Sequence, residues 1–142
     1  MNRLPQILAL VLVLCMSPIA HAYQTELKDD YQIKVATVTS VALSKQQVRD
    51  AILAGGLAHG WALKSETPDR LVLVLEHRGK YRVEVAVSYD ETQYSITYVA
   101  SDNLRYSESA DGARMIDNAY YRWLSALTKA ASTALRNTRP AQ

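Results

Sequence analysis

A chain of 142 residues with 16 Lys and Arg against 14 Asp and Glu has room for one well-filled core and a net charge of only +2, which removes the strong basic field that nucleic-acid binding relies on. Its single cysteine excludes an internal disulfide framework and any Cys-x-x-Cys metal or redox pair.

The first 22 residues read as a cleavable export signal. Asn2 and Arg3 form a short positive start, an unbroken apolar run joins Ile7 to Leu14, and Ala20-His21-Ala22 places small residues at −3 and −1 of a cleavage site. That run falls well short of the roughly 20 residues that cross a bilayer, so cleavage after Ala22 is preferred to an uncleaved anchor and no permanent membrane span is expected. Cys15 raises the alternative of a lipoprotein, but bulky Leu14 stands where such signals carry a small residue. Cleavage removes Arg3 and Cys15, leaving 15 basic residues against 14 acidic and no cysteine. The expected address is the periplasm, and the mature chain, residues 23–142, is expected to be one packed domain with loose ends at 23–30 and 137–142.

Tyr31, Ile33, Val35 and Val41 share one parity, which predicts a strand over 31–41. Ser44-Lys45-Gln46-Gln47 has the spacing of a capping box, and Val48, Ala51, Ile52 and Gly55 follow at helical intervals, so a helix is expected from there to His59-Gly60. A short strand over 61–64 and a turn over 66–69 containing Pro68 come next. Three strands are then predicted over 71–76, 81–89 and 94–100, with turns at Arg78-Gly79 and after Asp90, making an antiparallel meander. If Glu76 faces Tyr81 and Tyr89 faces Tyr94, one sheet face carries Val72, Val74, Val83, Val85, Val87, Ile96 and Tyr98. Leu71, Leu73 and Leu75 then point to the other, wet face and need a cover; where the amino-terminal strand or the tail does not supply it, they form an interface with a partner or a second copy. The stripe Ile116, Tyr120, Trp123, Leu127, Ala130 and Ala134 predicts a last helix, with Arg122, Ser125 and Lys129 off it. Two helices on one face of this meander make an α+β two-layer sandwich in the order β-α-β-β-β-β-α or close to it.

The segment Tyr94-Ser95-Ile96-Thr97-Tyr98, then Asn103-Leu104-Arg105-Tyr106, then a helix with Tyr120 and Trp123, resembles a family of small exported bacterial proteins and lipoproteins of unknown function. The similarity runs over about 48–127. It implies a cell-envelope protein and brings no assigned chemistry. Asp117 and Tyr121 stand where the family tends to have histidine and asparagine.

Catalytic constellations are sparse. After cleavage only His59 and His77 remain, with no cysteine, no His-Glu-x-x-His and no Gly-x-Ser-x-Gly; Ser107 and Ser109 lie in a polar loop. No metal and no cofactor are called for. His59 reads as a residue at a helix carboxyl end, Gly55-Gly56 as a point of close packing against the sheet, and Asp29-Asp30 and Asp90-Glu91 as solvated turn carboxylates. Nine tyrosines and no phenylalanine are distinctive, since tyrosine suits both pleated strands and recognition surfaces. Asn103, Arg105, Tyr106 and Tyr121 are the candidate binding residues, an aromatic and polar patch for a peptide or a glycan. The expected function is noncatalytic binding of an envelope protein or cell-wall component. The alternative is a small hydrolase whose site assembles in space around His59 or His77 with a carboxylate and a serine.

Overall fold

The computed structural model describes residues 23–140, so the export signal, with Cys15, lies outside the described residues. The elements run β1 (Gln24–Glu26), β2 (Tyr31–Lys34), α1 (Lys45–Ala58), β3 (Trp61–Thr67), β4 (Arg70–His77), β5 (Tyr81–Tyr89), β6 (Gln93–Asp102), β7 (Ser107–Glu108), β8 (Arg114–Asp117) and α2 (Ala119–Asn137). Five strands form an antiparallel sheet in the order β2-β6-β5-β4-β3, and β1-β8-β7 form a second, small antiparallel sheet. Both helices contribute to the core, and the architecture is the α+β antiparallel sandwich that the sequence pattern implies.

Local signals set α1 in place. Ser44 Oγ accepts from the Gln47 amide and the Gln47 side chain accepts from the Ser44 amide, a complete capping box; His59 is the carboxyl cap and Gly60 follows with φ +82°. The helices run antiparallel: Gln47 Nε2 donates to the Arg139 carbonyl at one end, and Ala58 and Arg122 line one groove at the other. Between these points Gly55 meets the backbone of Ala131, and Gly56 sits over Trp61, Leu127 and Leu73. Gly55 therefore packs against α2 rather than the sheet, and Gly56 makes the helix-to-sheet contact.

The register of the first hairpin differs from the sequence reading by one residue. His77 pairs with Tyr81 and Glu76 with Arg82. A one-residue slip moves every side chain of a strand to the opposite face, so Leu71, Leu73 and Leu75 pair with Val87, Val85 and Val83 and are buried under the helices. The face assignment is thereby corrected: these side chains are core and not an interface, and Val72 and Val74 take the open face. The cause is the turn, where Arg78 (φ +55°) and Gly79 (φ +62°) are both left-handed and the Lys80 amide donates to the His77 carbonyl, closing the hairpin with three residues. At the second hairpin Tyr89 does pair with Tyr94, and Asp90 Oδ1 accepts from the amides of Thr92 and Gln93.

Other boundaries shift for identifiable reasons. Strand β2 stops at Lys34 because a 3-10 turn, Val35–Thr37, takes over, with the Val38 amide donating to the Val35 carbonyl and Thr37 Oγ1 to the Lys34 carbonyl. Ile116 belongs to β8 and is buried there, so the buried face of α2 runs through Tyr120, Leu124, Leu127, Ala131 and Leu135. Trp123 and Ala134 are partly buried beside it. Residues 23–30 are not loose: β1 pairs with β8, Leu27 is buried, and Asp29 accepts from the Tyr98 amide at 3.0 Å and from Arg114 at 2.8 Å.

Candidate functional site

The segment after β6 zigzags. Asn103 (φ +59°) and Arg105 (φ +51°) are left-handed, and the residue between them, Leu104, is buried. Asn103 Nδ2 donates to the Lys80 carbonyl at 2.7 Å, placing it in a polar cleft with Glu76, Tyr81, Arg82 and Asp102. The Arg105 guanidinium lies over the Tyr23 ring at 5.5 Å, and its carbonyl accepts from Gln24 Nε2. Tyr106 stacks on Tyr98, with centroids 4.9 Å apart and rings 8° from parallel. Tyr98 meets Tyr120 edge-on, Tyr120 meets Tyr121, and Tyr121 meets Tyr31, so five tyrosines form one continuous chain of rings. The Tyr121 hydroxyl accepts from the Lys28 amide at 3.0 Å.

The four candidate binding residues thus divide among three places. Tyr106 and Tyr121 stand near opposite ends of the tyrosine chain. Asn103 bridges to the β4–β5 turn, and Arg105 holds the amino-terminal segment. Much of their hydrogen-bonding capacity is spent within the fold.

A larger concave feature lies elsewhere, on the outer side of the helix layer. Where Gly55 lets α1 and α2 approach closely, a groove of about 890 Å³ opens between them. Its floor is built from Ala54, Gly55, Ala58, Ala126, Ala130 and Ala134. Short side chains at these positions leave a depression that longer ones would fill. The polar part of the lining is His59, Arg122, Ser125, Lys129, Thr133 and Asn137, with three basic side chains and no carboxylate. Among the described residues neither Arg122 nor Lys129 forms an ion pair, although both are exposed. The site is therefore apolar at its floor and cationic at its rim.

Arg122 and Lys129 read from sequence only as residues off the apolar stripe, and Ala130 and Ala134 as part of it. The available signal was the spacing of small residues, Ala126-Ala130-Ala134 on one helix and Ala54-Ala58 on the other, each at intervals of four.

The histidines occupy different surroundings. His77 packs at a tilt against Trp123, with centroids 5.3 Å apart, and against Tyr81 at 6.4 Å. His59 lines the interhelical groove, which also holds Ser125 but no carboxylate. Elsewhere, Glu84 is a buried carboxylate on the open sheet face, bonded to Lys64 at 2.7 Å and to Arg82. These charge-assisted bonds outweigh its burial and hold its pKa below the ordinary glutamate range. Among the described residues no group of three or more His, Cys, Asp or Glu is placed to hold a metal ion, and no helix is long and apolar enough to cross a membrane.

No protein-family model matches the chain, and neither does a curated protein or a solved structure.

Proposed function

We propose that the mature chain is a noncatalytic binding module of the bacterial cell envelope, exported to the periplasm after cleavage at Ala22, and that its working surface is the groove between α1 and α2. The observation that carries this reading is the pairing of an alanine floor with a basic rim that no acidic group of the groove neutralises. Concave sites that are mostly apolar and carry a few convergent polar groups are the usual places for ligands. An anionic partner gains both terms at once. The export signal in the sequence and the resemblance to small exported proteins support the envelope address.

The hydrolase alternative asks for a histidine set against a carboxylate and a serine. His59 has Ser125 in the same groove without a carboxylate, and His77 packs in a cluster with Tyr81 and Trp123, so binding is the reading favoured here.

In-cell photo-crosslinking tests the proposal, with the crosslinking residue placed at Ala126 and, for comparison, at Tyr106 and Tyr121. A discrete adduct from Ala126 that is lost when Arg122 and Lys129 are both changed to glutamate supports the groove. An adduct from Tyr106 or Tyr121 alone moves the working surface to the tyrosine chain. Amino-terminal sequencing of the protein recovered from the periplasm tests the address, with Tyr23 expected as the first residue.

A further inference from the structure

Resting on the groove being the working surface, we propose that its occupant is an acidic amphipathic helix of a different protein, laid along α1 and α2 as a third helix. Two antiparallel helices present parallel ridges, and alanines at the crossing let a further backbone approach to the 8–10 Å at which helices interlock. The groove follows α2 from Arg122 to Asn137, a length of roughly 22 Å or four turns at the α-helical rise. It is open along its outer side, so a single acyl chain lying there would leave much of its surface in water. A helix turns only its apolar stripe inward and keeps its polar face wet.

Charge selects the sign and excludes one partner. Arg122 and Lys129 are seven residues apart on one face of α2, roughly 10 Å at the helical rise, which matches two glutamates seven apart on the incoming helix. A second copy docking through this same groove would bring two surfaces together that each carry Arg122 and Lys129 and no carboxylate, because a two-fold contact joins the same patch of both copies. Like charges facing each other in a contact oppose it. The partner is therefore acidic and is not this face of another copy.

The test uses the full mature chain and a fluorescein-labelled synthetic 18-residue peptide with alanine and leucine on one stripe and glutamates seven apart beside it. Anisotropy at low salt is expected to show binding, with affinity falling at least tenfold in the Arg122→Glu/Lys129→Glu variant. A peptide with lysine in place of each glutamate is expected to prefer that variant over the wild type. Both substituted residues are exposed, and a thermal melt establishes that the variant is folded. Equal binding of the glutamate peptide to wild type and variant overturns the proposal. Phosphatidylglycerol vesicles provide the second arm: if they bind in an Arg122- and Lys129-dependent manner while the peptide does not, the helix is the wrong occupant and the groove remains the site. If neither binds, groove and occupant fall together. A dimer in sedimentation that the same charge reversals dissociate also overturns the proposal.

Discussion

Gly55 lies against the backbone of Ala131, so closely that a Cβ on Gly55 would stand 2.4 Å from the Ala131 amide nitrogen and 2.8 Å from its Cα. Neither atom is the end of a flexible side chain, so the helices would have to part. Gly55→Ala gains helix propensity worth about 1 kcal/mol, but separating the two helices is expected to cost more. The net expectation is a loss of about 1–3 kcal/mol, read as a lower midpoint in urea. An unchanged or raised midpoint would mean that the helices do not touch at this point.

Leu73 pairs with Val85, is 1% exposed, and lies beneath Gly56 of α1. Leu73→Ala is expected to cost about 2–5 kcal/mol through lost burial and the cavity left behind. Leu73→Lys, which would place an ammonium group in the same space, is expected to abolish cooperative unfolding. A folded, stable Leu73→Lys protein would return the leucines to the surface and reverse the sheet register.

That residue also shows where sequence stops being informative. Leu71, Leu73 and Leu75 alternate with Val72 and Val74, so both parities of β4 are apolar and hydrophobic pattern has no preference between them. The deciding feature is turn geometry: a left-handed Arg78 before Gly79 shortens the loop by one residue, and nothing in an arginine announces a positive φ. By contrast Ser44, Gln47 and Gly60 carry their structural meaning locally, and α1 begins and ends where they place it. The meander and its two covering helices were legible for the same reason. The small β1-β8-β7 sheet was not, because its strands of two to four residues leave no periodic trace and β1 reaches β8 across about ninety positions of sequence. The groove was hidden more deeply still. Its alanines resemble core positions until the crossing at Gly55 turns them outward.

Glu84 gives a pH-dependent prediction. Its folded pKa is lowered by Lys64 and Arg82, so the stability it contributes is complete above the unfolded glutamate range near pH 4.3 and is lost as pH falls through the lower folded value. Lys64 is half exposed and Arg82 about a third, so solvent screening reduces the value of the pairing. Glu84→Gln is expected to cost about 1–2 kcal/mol at pH 7. The difference from wild type should narrow steadily as the pH is taken from about 5 to below 3, measured by urea unfolding at each pH. A gap independent of pH would show that Glu84 acts through packing alone.

Tyr94 offers the opposite sign. Its side chain is 1% exposed on β6, and its hydroxyl makes no hydrogen bond of good geometry, Ser132 offering only a weak contact to it. A buried, unpaired hydroxyl costs desolvation without return, so Tyr94→Phe is expected to be neutral or to stabilise by up to about 1 kcal/mol at pH 7. Burial also pushes the folded phenol pKa far above its ordinary value. The stability linked to that shift is complete below the unfolded tyrosine value near pH 10 and is lost as pH rises beyond it, because the unfolded phenol ionises first. Phenylalanine has no proton to lose, and the remaining ionisable groups are common to both proteins. The advantage of Tyr94→Phe should therefore widen between pH 10 and 12 in paired urea titrations. A variant less stable than wild type at pH 7 would mean that the hydroxyl is bonded after all, with Ser132 and Tyr31, the neighbouring hydroxyl groups, as the partners to examine.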